Sequence, residues 1–152
     1  MAVFVVSIHD RHPGGDLAVE LRDVLDALGD AIPNHEWVAT LFDCIGEPAQ
    51  PFCDEVAAAH NRGVRLTGAR LIEVAGQAGV TTDAILFGYP PGSAGLDKKA
   101  HLRTEFPASE ARLLVEVVEG EFLVVAAKEK KLIDRVRGQF EDVRDEEAEA
   151  SW

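Results

Sequence analysis

The sequence is poor in several residue types that mark specialised classes of protein. It contains two cysteines in 152 residues, no long apolar run, and 15 basic residues against 27 acidic ones. Two cysteines cannot build the disulfide framework of a small secreted domain, and a membrane helix needs about 20 consecutive apolar residues. The deficit of lysine and arginine argues against nucleic-acid and anionic-membrane partners, because both are bound through basic surfaces.

The remaining composition is that of an ordinary globular protein. Hydrophobic residues make up 47% of the chain and charged residues 28%, and the net charge is -12. A chain of this length can bury roughly 70% of the surface that its unfolded state exposes, so one domain with its own core is expected. Residues 1–60 hold -9 of the net charge, which indicates either a docking face for a cationic partner or a solvated acidic surface.

The N-terminus predicts a cytoplasmic protein. Residues 1–8 have no basic leader and only a short apolar run, which is typical of a first strand and not of a signal peptide. In a reducing cytoplasm Cys44 and Cys53 are most simply free thiols. They lie nine positions apart across a loop rich in proline and glycine, so a bridge between them is also geometrically conceivable.

Apolar spacing predicts most of the elements in the first two thirds of the chain. Strands are expected at residues 3–8, 37–42 and 84–87, where apolar and β-branched residues cluster. A helix capped by Asp16 and ended by Gly29 is expected from apolar residues at helical spacing: Leu17, Leu21, Val24, Leu25 and Leu28. Two further helices are expected, at residues 51–60 and from the cap Thr67 to Gly79.

The last third of the chain predicts a hairpin and a helix. Two apolar runs between Arg112 and Ala127 flank Gly120, which supplies the positive φ of a tight turn. Residues 109–118 also fit a helical face, so the first half of the hairpin could be strand or helix. A helix is expected over residues 129–143, in front of an acidic tail at 145–152.

Together these elements predict an α+β fold with an α/β-like start. The expected order is β-α-β-α-α-β, an irregular insert, and β-β-α, forming a single mixed β-sheet of about five strands with helices packed on it. Residues 1–144 would form the single globular domain, and 145–152 the tail.

The densest polar segment follows the first predicted strand. His9, Asp10 and His12 lie there, and Asp43 and Cys44 follow the second strand. Ligands gather at the carboxyl ends of parallel strands, so these five residues, with Tyr89 from a parallel third strand, could form one cluster.

Three interpretations of this cluster stay open. Cys44 could be a nucleophile with His9 or His12 as base and an aspartate orienting the imidazole. His9 and His12 could instead bind a metal with an aspartate. The third interpretation is a polar turn in which Asp16 caps the first helix, and the absence of any catalytic or metal-binding signature favours it.

A second candidate surface is the loop after the predicted strand at 84–87. It combines aromatic, proline and basic residues, and long loops of compact domains often carry function. We therefore expect a partner-binding loop that includes Tyr89, Pro90, Pro91, Lys98 and Lys99.

These features favour a small acidic binding or regulatory module over an enzyme. Its size and charge are similar to those of immunity proteins that mask cationic toxins, although no motif supports the comparison. The expected partner is a basic protein, and no cofactor is predicted. The alternatives are a small enzyme that uses the strand-end cluster and a homo-oligomeric structural protein that associates through an apolar sheet face or the hairpin edge.

Overall fold

A computed structural model of the protein describes residues 2–93 and 102–147. These residues form seven strands and four α-helices, with short 3₁₀ turns between them. The strands are β1 (Phe4–Ile8), β2 (Glu36–Ile45), β3 (Val64–Thr67), β4 (Val80–Tyr89), β5 (Leu113–Val118), β6 (Phe122–Ala127) and β7 (Val143–Glu146). The helices are α1 (Leu21–Leu28), α2 (Gln50–Ala59), α3 (Gly68–Gln77) and α4 (Lys130–Gln139).

All seven strands belong to one antiparallel sheet. Their order is β3-β2-β4-β5-β6-β1-β7, and every neighbouring pair is antiparallel. The α+β class is confirmed, but the prediction of a mixed sheet of about five strands is wrong. The two missed strands, β3 and β7, are the sheet edges. Each has only four residues and carries charged side chains, which protects an edge from further pairing and also hides it from apolar pattern analysis.

The central strands of the sheet are buried on both faces. The four helices cover one face and form the main core with its inward-facing side chains. On the other face a smaller core gathers around Phe87, Tyr89 and Leu114, and Phe106 packs into it from the 3₁₀ turn Arg103–Ala108. The central hairpin of β5 and β6 is therefore apolar on both sides, as its sequence predicts.

The turn that follows α1 is tied to the sheet and to α3. Trp37 is fully buried on β2, and its indole Nε1 donates a hydrogen bond of 2.9 Å to the carbonyl of Ile32. A Cβ built on Gly68 would lie 2.1 Å from the same carbonyl oxygen. The absence of a side chain at Gly68 thus lets the start of α3 pack directly on this turn.

The start of α1 differs from the prediction. The helix begins at Leu21 and not after Asp16, because residues 11–17 turn back on themselves: Arg11 bridges to Leu17, and the His12 N–H donates to the Asp16 carbonyl at 2.8 Å. At the actual N-terminus, the Glu20 N–H donates to the Asp23 carboxylate at 2.8 Å. The Ala18 N–H also donates to the Asp10 carbonyl at 2.8 Å, so residues 17 and 18 pair with the chain before the turn and are not available to the helix.

One open alternative near the C-terminus is decided, and one prediction is wrong: the last helix does not reach residue 143. Residues 113–118 form strand β5 and not a helix. The last helix ends at Gln139, so Val143 lies on β7 and not on a helical face. Positions 145 and 146 of the predicted tail belong to this edge strand, whereas 148–152 lie outside the described residues.

The close packing of Gly68 predicts opposite outcomes for two alanine substitutions in the same helix. Gly68→Ala places a methyl group against the Ile32 backbone and should lower the free energy of unfolding by about 1–3 kcal/mol. Gly76→Ala has open space around its Cβ and should be neutral or stabilising by up to about 1 kcal/mol. Urea unfolding of both variants checks this, and equal effects would contradict the packing explanation.

Candidate functional site

The antiparallel order brings acidic side chains to one end of the sheet. Because strand direction alternates, the C-termini of β1, β2 and β5 lie at the same end as the N-termini of β4, β6 and β7. At these termini and the turns that extend them lie seven carboxylates: Asp10, Asp43, Asp83, Glu119, Glu121, Glu141 and Asp142. We call this group the acidic end.

The basic side chains at the acidic end already have intramolecular partners. Among the described residues these side chains are Arg11, which donates to the Glu121 carbonyl, and Arg144, which donates through Nε and Nη2 to Asp142 at 3.0 Å each. The opposite end of the sheet carries Arg112, Lys128 and Lys130 together with carboxylates, among them Glu36, Glu110 and Glu129. Charges of both signs therefore occur at that end.

One like-charge contact at the acidic end is a cross-strand pair. Asp43 on β2 lies directly opposite Asp83 on β4. Like charges in this position repel each other and destabilise the sheet. Asp83 Oδ1 accepts a hydrogen bond of 3.1 Å from the Glu119 N–H, which also holds the turn between β5 and β6 beside the pair. No side chain of the described residues forms an ion pair with Asp43 or Asp83.

Apolar side chains lie next to this aspartate pair. Leu41 is 36% exposed and pairs across the strands with the half-buried Ile85. Val118 and Phe122, also half-buried, pair with each other beside them on β5 and β6. Since residues two apart on a strand share a face, these four side chains and the two aspartates lie on the same face of the sheet. We call Leu41, Ile85, Val118 and Phe122 the apolar strip.

His9 borders the apolar strip and belongs to a hydrogen-bonded chain. Its ring stacks on Phe122 with centroids 5.0 Å apart, and its Nε2 lies 2.8 Å from the hydroxyl of the fully buried Ser7. That hydroxyl donates to Glu146 Oε1 at 2.8 Å. With its proton committed to Glu146, Ser7 accepts from His9, so the imidazole carries its proton on Nε2. Ser7 is fully buried in the middle of this chain, so these hydrogen bonds join β1 to the edge strand β7.

Two nearby positive charges and partial burial affect the titration of this cluster. Burial is the main cause that lowers the pKa of His9 below its ordinary value, and Arg144 and Arg11 lower it further, while Asp142 opposes them. The hydrogen bonds from Arg144 lower the pKa of Asp142. The neutral imidazole is therefore the form that this end of the fold favours.

The predicted strand-end cluster does not form as one site. β1 and β2 run in the same direction, as expected, but β4, β5 and β6 lie between them. Four strand spacings of about 4.8 Å separate His9 from Asp43 by roughly 19 Å. Asp10 caps the turn before β7 by accepting from the N–H groups of Glu141 and Asp142, at 3.0 and 2.7 Å, and His12 is exposed on its turn.

Cys44 has a different neighbour from the one that the nucleophile hypothesis requires. Its Sγ lies 3.1 Å from Sγ of Cys53 on α2, and both thiols are free. Neither His9 nor His12 is within reach to act as its base, because the two strands are not neighbours. In residues 2–93 and 102–147, no group of three or more His, Cys, Asp and Glu side chains is arranged to hold a metal ion.

The predicted partner loop is only partly surface. Tyr89 is 1% exposed and belongs to the smaller core, and since β4 is antiparallel to β1 and β2 it lies at the sheet end opposite the acidic one. Pro90 is half-buried and Pro91 is exposed. Lys98 and Lys99 lie outside the described residues.

Residue patterns alone missed most of the acidic end. The sequence places Asp10 and Asp43 in the predicted strand-end cluster, but it does not mark the other five carboxylates as parts of a site: Asp83, Glu119, Glu121, Glu141 and Asp142. The available signal was weak: Glu119 and Glu121 flank Gly120 in a recognised hairpin turn, with Glu119 at φ 53° and Gly120 at φ 66°. Their common location depends on strand order, which the local sequence does not encode.

No protein-family model, curated protein or solved structure matches this chain. Within the part of the chain that the structure describes, no helix is both long and apolar enough to cross a membrane.

The repulsion between the paired aspartates predicts a stabilising substitution. Asp43→Asn removes one of two opposed charges and should raise the free energy of unfolding by about 0.2–1 kcal/mol. The gain should shrink at high salt, since screening weakens the repulsion in the parent protein. Chemical unfolding at two salt concentrations measures both effects, and a destabilised variant at low salt would show that the pair is not repulsive.

The surroundings of His9 predict its titration. Its pKa, followed by NMR, should lie below 6.5, and Arg144→Gln should raise it, because a repulsive charge is removed while Asp142 stays. The pKa of His9 in the unfolded chain is about 6.5, so above that pH the lowered pKa of the folded protein does not change the free energy of unfolding. As the pH falls below about 6.5, it lowers the free energy of unfolding. An unchanged or lower pKa in the variant would contradict the assigned cause.

Proposed function

We propose that this protein binds a basic protein partner through the acidic end and the apolar strip. The observation that carries the proposal is the Asp43–Asp83 pair, two carboxylates opposed across neighbouring strands without an ion-pair partner among the described residues. A lysine or arginine side chain placed between them would turn repulsion into attraction. The electrostatic attraction to a cationic partner is therefore greatest at the position where repulsion between carboxylates destabilises the free protein.

The apolar strip supports a protein partner over a small cation. Interfaces commonly combine an apolar centre with a polar rim. Here Leu41, Ile85, Val118 and Phe122 supply apolar surface, and carboxylates of the acidic end border it. Burying the strip would contribute affinity, and the carboxylates would accelerate association and select for a basic partner.

The distribution of charge also supports this proposal. The basic side chains at the acidic end are paired within the protein, whereas the opposite end carries Arg112, Lys128 and Lys130 among its carboxylates. A cationic partner is therefore attracted more strongly to the acidic end. A protein of this kind acts by masking basic surface on its partner, as a regulator or an inhibitor does.

Binding of a lysine-rich peptide provides a direct test. The peptide is titrated into the ¹⁵N-labelled protein, and amide shift changes should concentrate at the acidic end. The Asp43→Asn/Asp83→Asn variant should bind about twofold to thirtyfold more weakly, since each of the two exposed charge contacts contributes about 0.2–1 kcal/mol. Affinity should also fall steeply as salt rises.

A matched variant controls for net charge. Glu129→Gln/Asp134→Asn removes the same two charges near the opposite end, where both carboxylates are exposed and pair with lysines of α4. It should bind the peptide nearly as well as the parent. Equal weakening in both double variants, or shift changes spread over the whole surface, would mean that only the net charge of -12 attracts the peptide.

The apolar strip separates a protein interface from plain charge attraction. Phe122→Ser should weaken a peptide that carries aromatic residues between its lysines more than it weakens a peptide of lysine and glycine alone, because only the former can use the strip. If Phe122→Ser weakens the binding of both peptides equally, the apolar strip is not part of the binding site, and the carboxylates alone form it.

A further inference from the structure

The two cysteines of the chain lie in contact although they belong to different elements. Cys44 is near the end of β2 and Cys53 is on the inner face of α2. Their sulfurs are 3.1 Å apart, and a disulfide requires about 2.05 Å. The two sulfurs must therefore move about 1 Å closer to form a bond, and small side-chain rotations can supply this movement.

The backbone around the pair is held in position. A Cβ on Gly46 would lie 2.4 Å from the Ala78 carbonyl oxygen, and one on Gly79 would lie 2.7 Å from the Ile45 carbonyl oxygen. The segment after Cys44 is thus packed directly against the end of α3. Because Cys53 is anchored by the packing of α2 on β2, the contact between the thiols is maintained by the fold and not by a mobile loop.

Cys44 is the more exposed of the two cysteines. It is partly buried against the main core, whereas Cys53 is 6% exposed. A small dissolved oxidant therefore reaches Cys44 first, with Cys53 already at contact distance behind it. Such an arrangement is typical of an exposed reacting cysteine with a neighbouring resolving cysteine.

We propose that Cys44 and Cys53 form a reversible redox pair that hydrogen peroxide converts to an intramolecular disulfide. The Cys44 thiolate attacks one peroxide oxygen, the O–O bond breaks, and the departing hydroxide takes a proton to become water. Cys53 then loses its proton and attacks the sulfur of the Cys44 sulfenic acid, and the S–O bond breaks with loss of a second water. The two thiols give up two electrons, which reduce the peroxide, and a dithiol reductant reverses the change.

The second step has a predictable pH dependence. Burial is the main cause that raises the pKa of Cys53 to about 12, and the neighbouring Cys44 contributes. Only a small fraction of Cys53 is thiolate at neutral pH, but its contact with Cys44 gives the ring closure a high effective concentration. The rate of disulfide formation from the sulfenic acid should therefore rise steadily with pH throughout the neutral and mildly alkaline range.

Mass spectrometry after peroxide treatment tests the proposal. The treated protein is alkylated and then digested with chymotrypsin, which cleaves after Phe52 and so separates the two cysteines. The expected product is a monomer that has lost two hydrogens and cannot be alkylated, and whose two cysteine peptides are joined. Dithiothreitol should restore both thiols. Thiols that remain alkylatable, two separately oxidised cysteines, or a dimer linked through sulfur would overturn the proposal.

Variants and a melting curve provide independent readouts. In Cys53→Ser, which removes the resolving thiol, Cys44 should gain oxygen atoms under the same treatment instead of losing hydrogen. The oxidised parent should melt roughly 5 °C higher than the reduced parent, and Cys44→Ser/Cys53→Ser should show no shift on peroxide treatment. If a variant fails to fold, the joined peptides and the melting shift of the parent protein alone decide the outcome.

Discussion

The constraint on which this structure depends is the burial of its central strands on both faces. β5 and β6 are apolar at nearly every position, and β4 places Leu86 toward the helices and Phe87 toward the smaller core. A sheet of this kind needs cover on each side, and the helices supply one cover and the segment around Phe106 the other. Most charged side chains are therefore excluded from the faces and concentrated at strand ends, edges and outer helix surfaces.

Antiparallel pairing then decides which charges meet. Each hairpin returns the chain to the end from which it came, so residues distant in sequence, such as Asp10, Asp83 and Asp142, share one end of the sheet. The resulting repulsion costs stability, most directly between Asp43 and Asp83. Repulsion between carboxylates lowers the stability of the free protein, and a bound cation would remove it. Such a compromise between stability and binding is common. The Cys44–Cys53 contact follows Asp43 directly in the chain but lies on the helix-covered face of the sheet, opposite the face that carries the aspartate pair.

Elements with a strong local pattern were predictable, and elements specified by their neighbours were not. The tight turn at Gly120, the cap at Thr67 and the stripe on α1 each depend on residues close in sequence, and each occurs in the structure. The edge strands β3 and β7 have weak patterns, because a short charged strand is defined by the partner that pairs with it. The strand-end cluster failed for the same reason: β1 and β2 do run in the same direction, but nothing local indicates that three strands separate them.

The sequence by itself determined the class of the fold, the two-sided burial of the hairpin, the presence and order of the four helices and the strongly acidic character of the protein. These properties follow from composition and from apolar spacing over a few residues, which act through local geometry and the hydrophobic effect. Tertiary structure decided which carboxylates gather at the acidic end, that Tyr89 is buried, and that Cys44 contacts Cys53 and not a histidine. Those outcomes depend on strand order, which results from the packing of the whole chain and not from any segment of it.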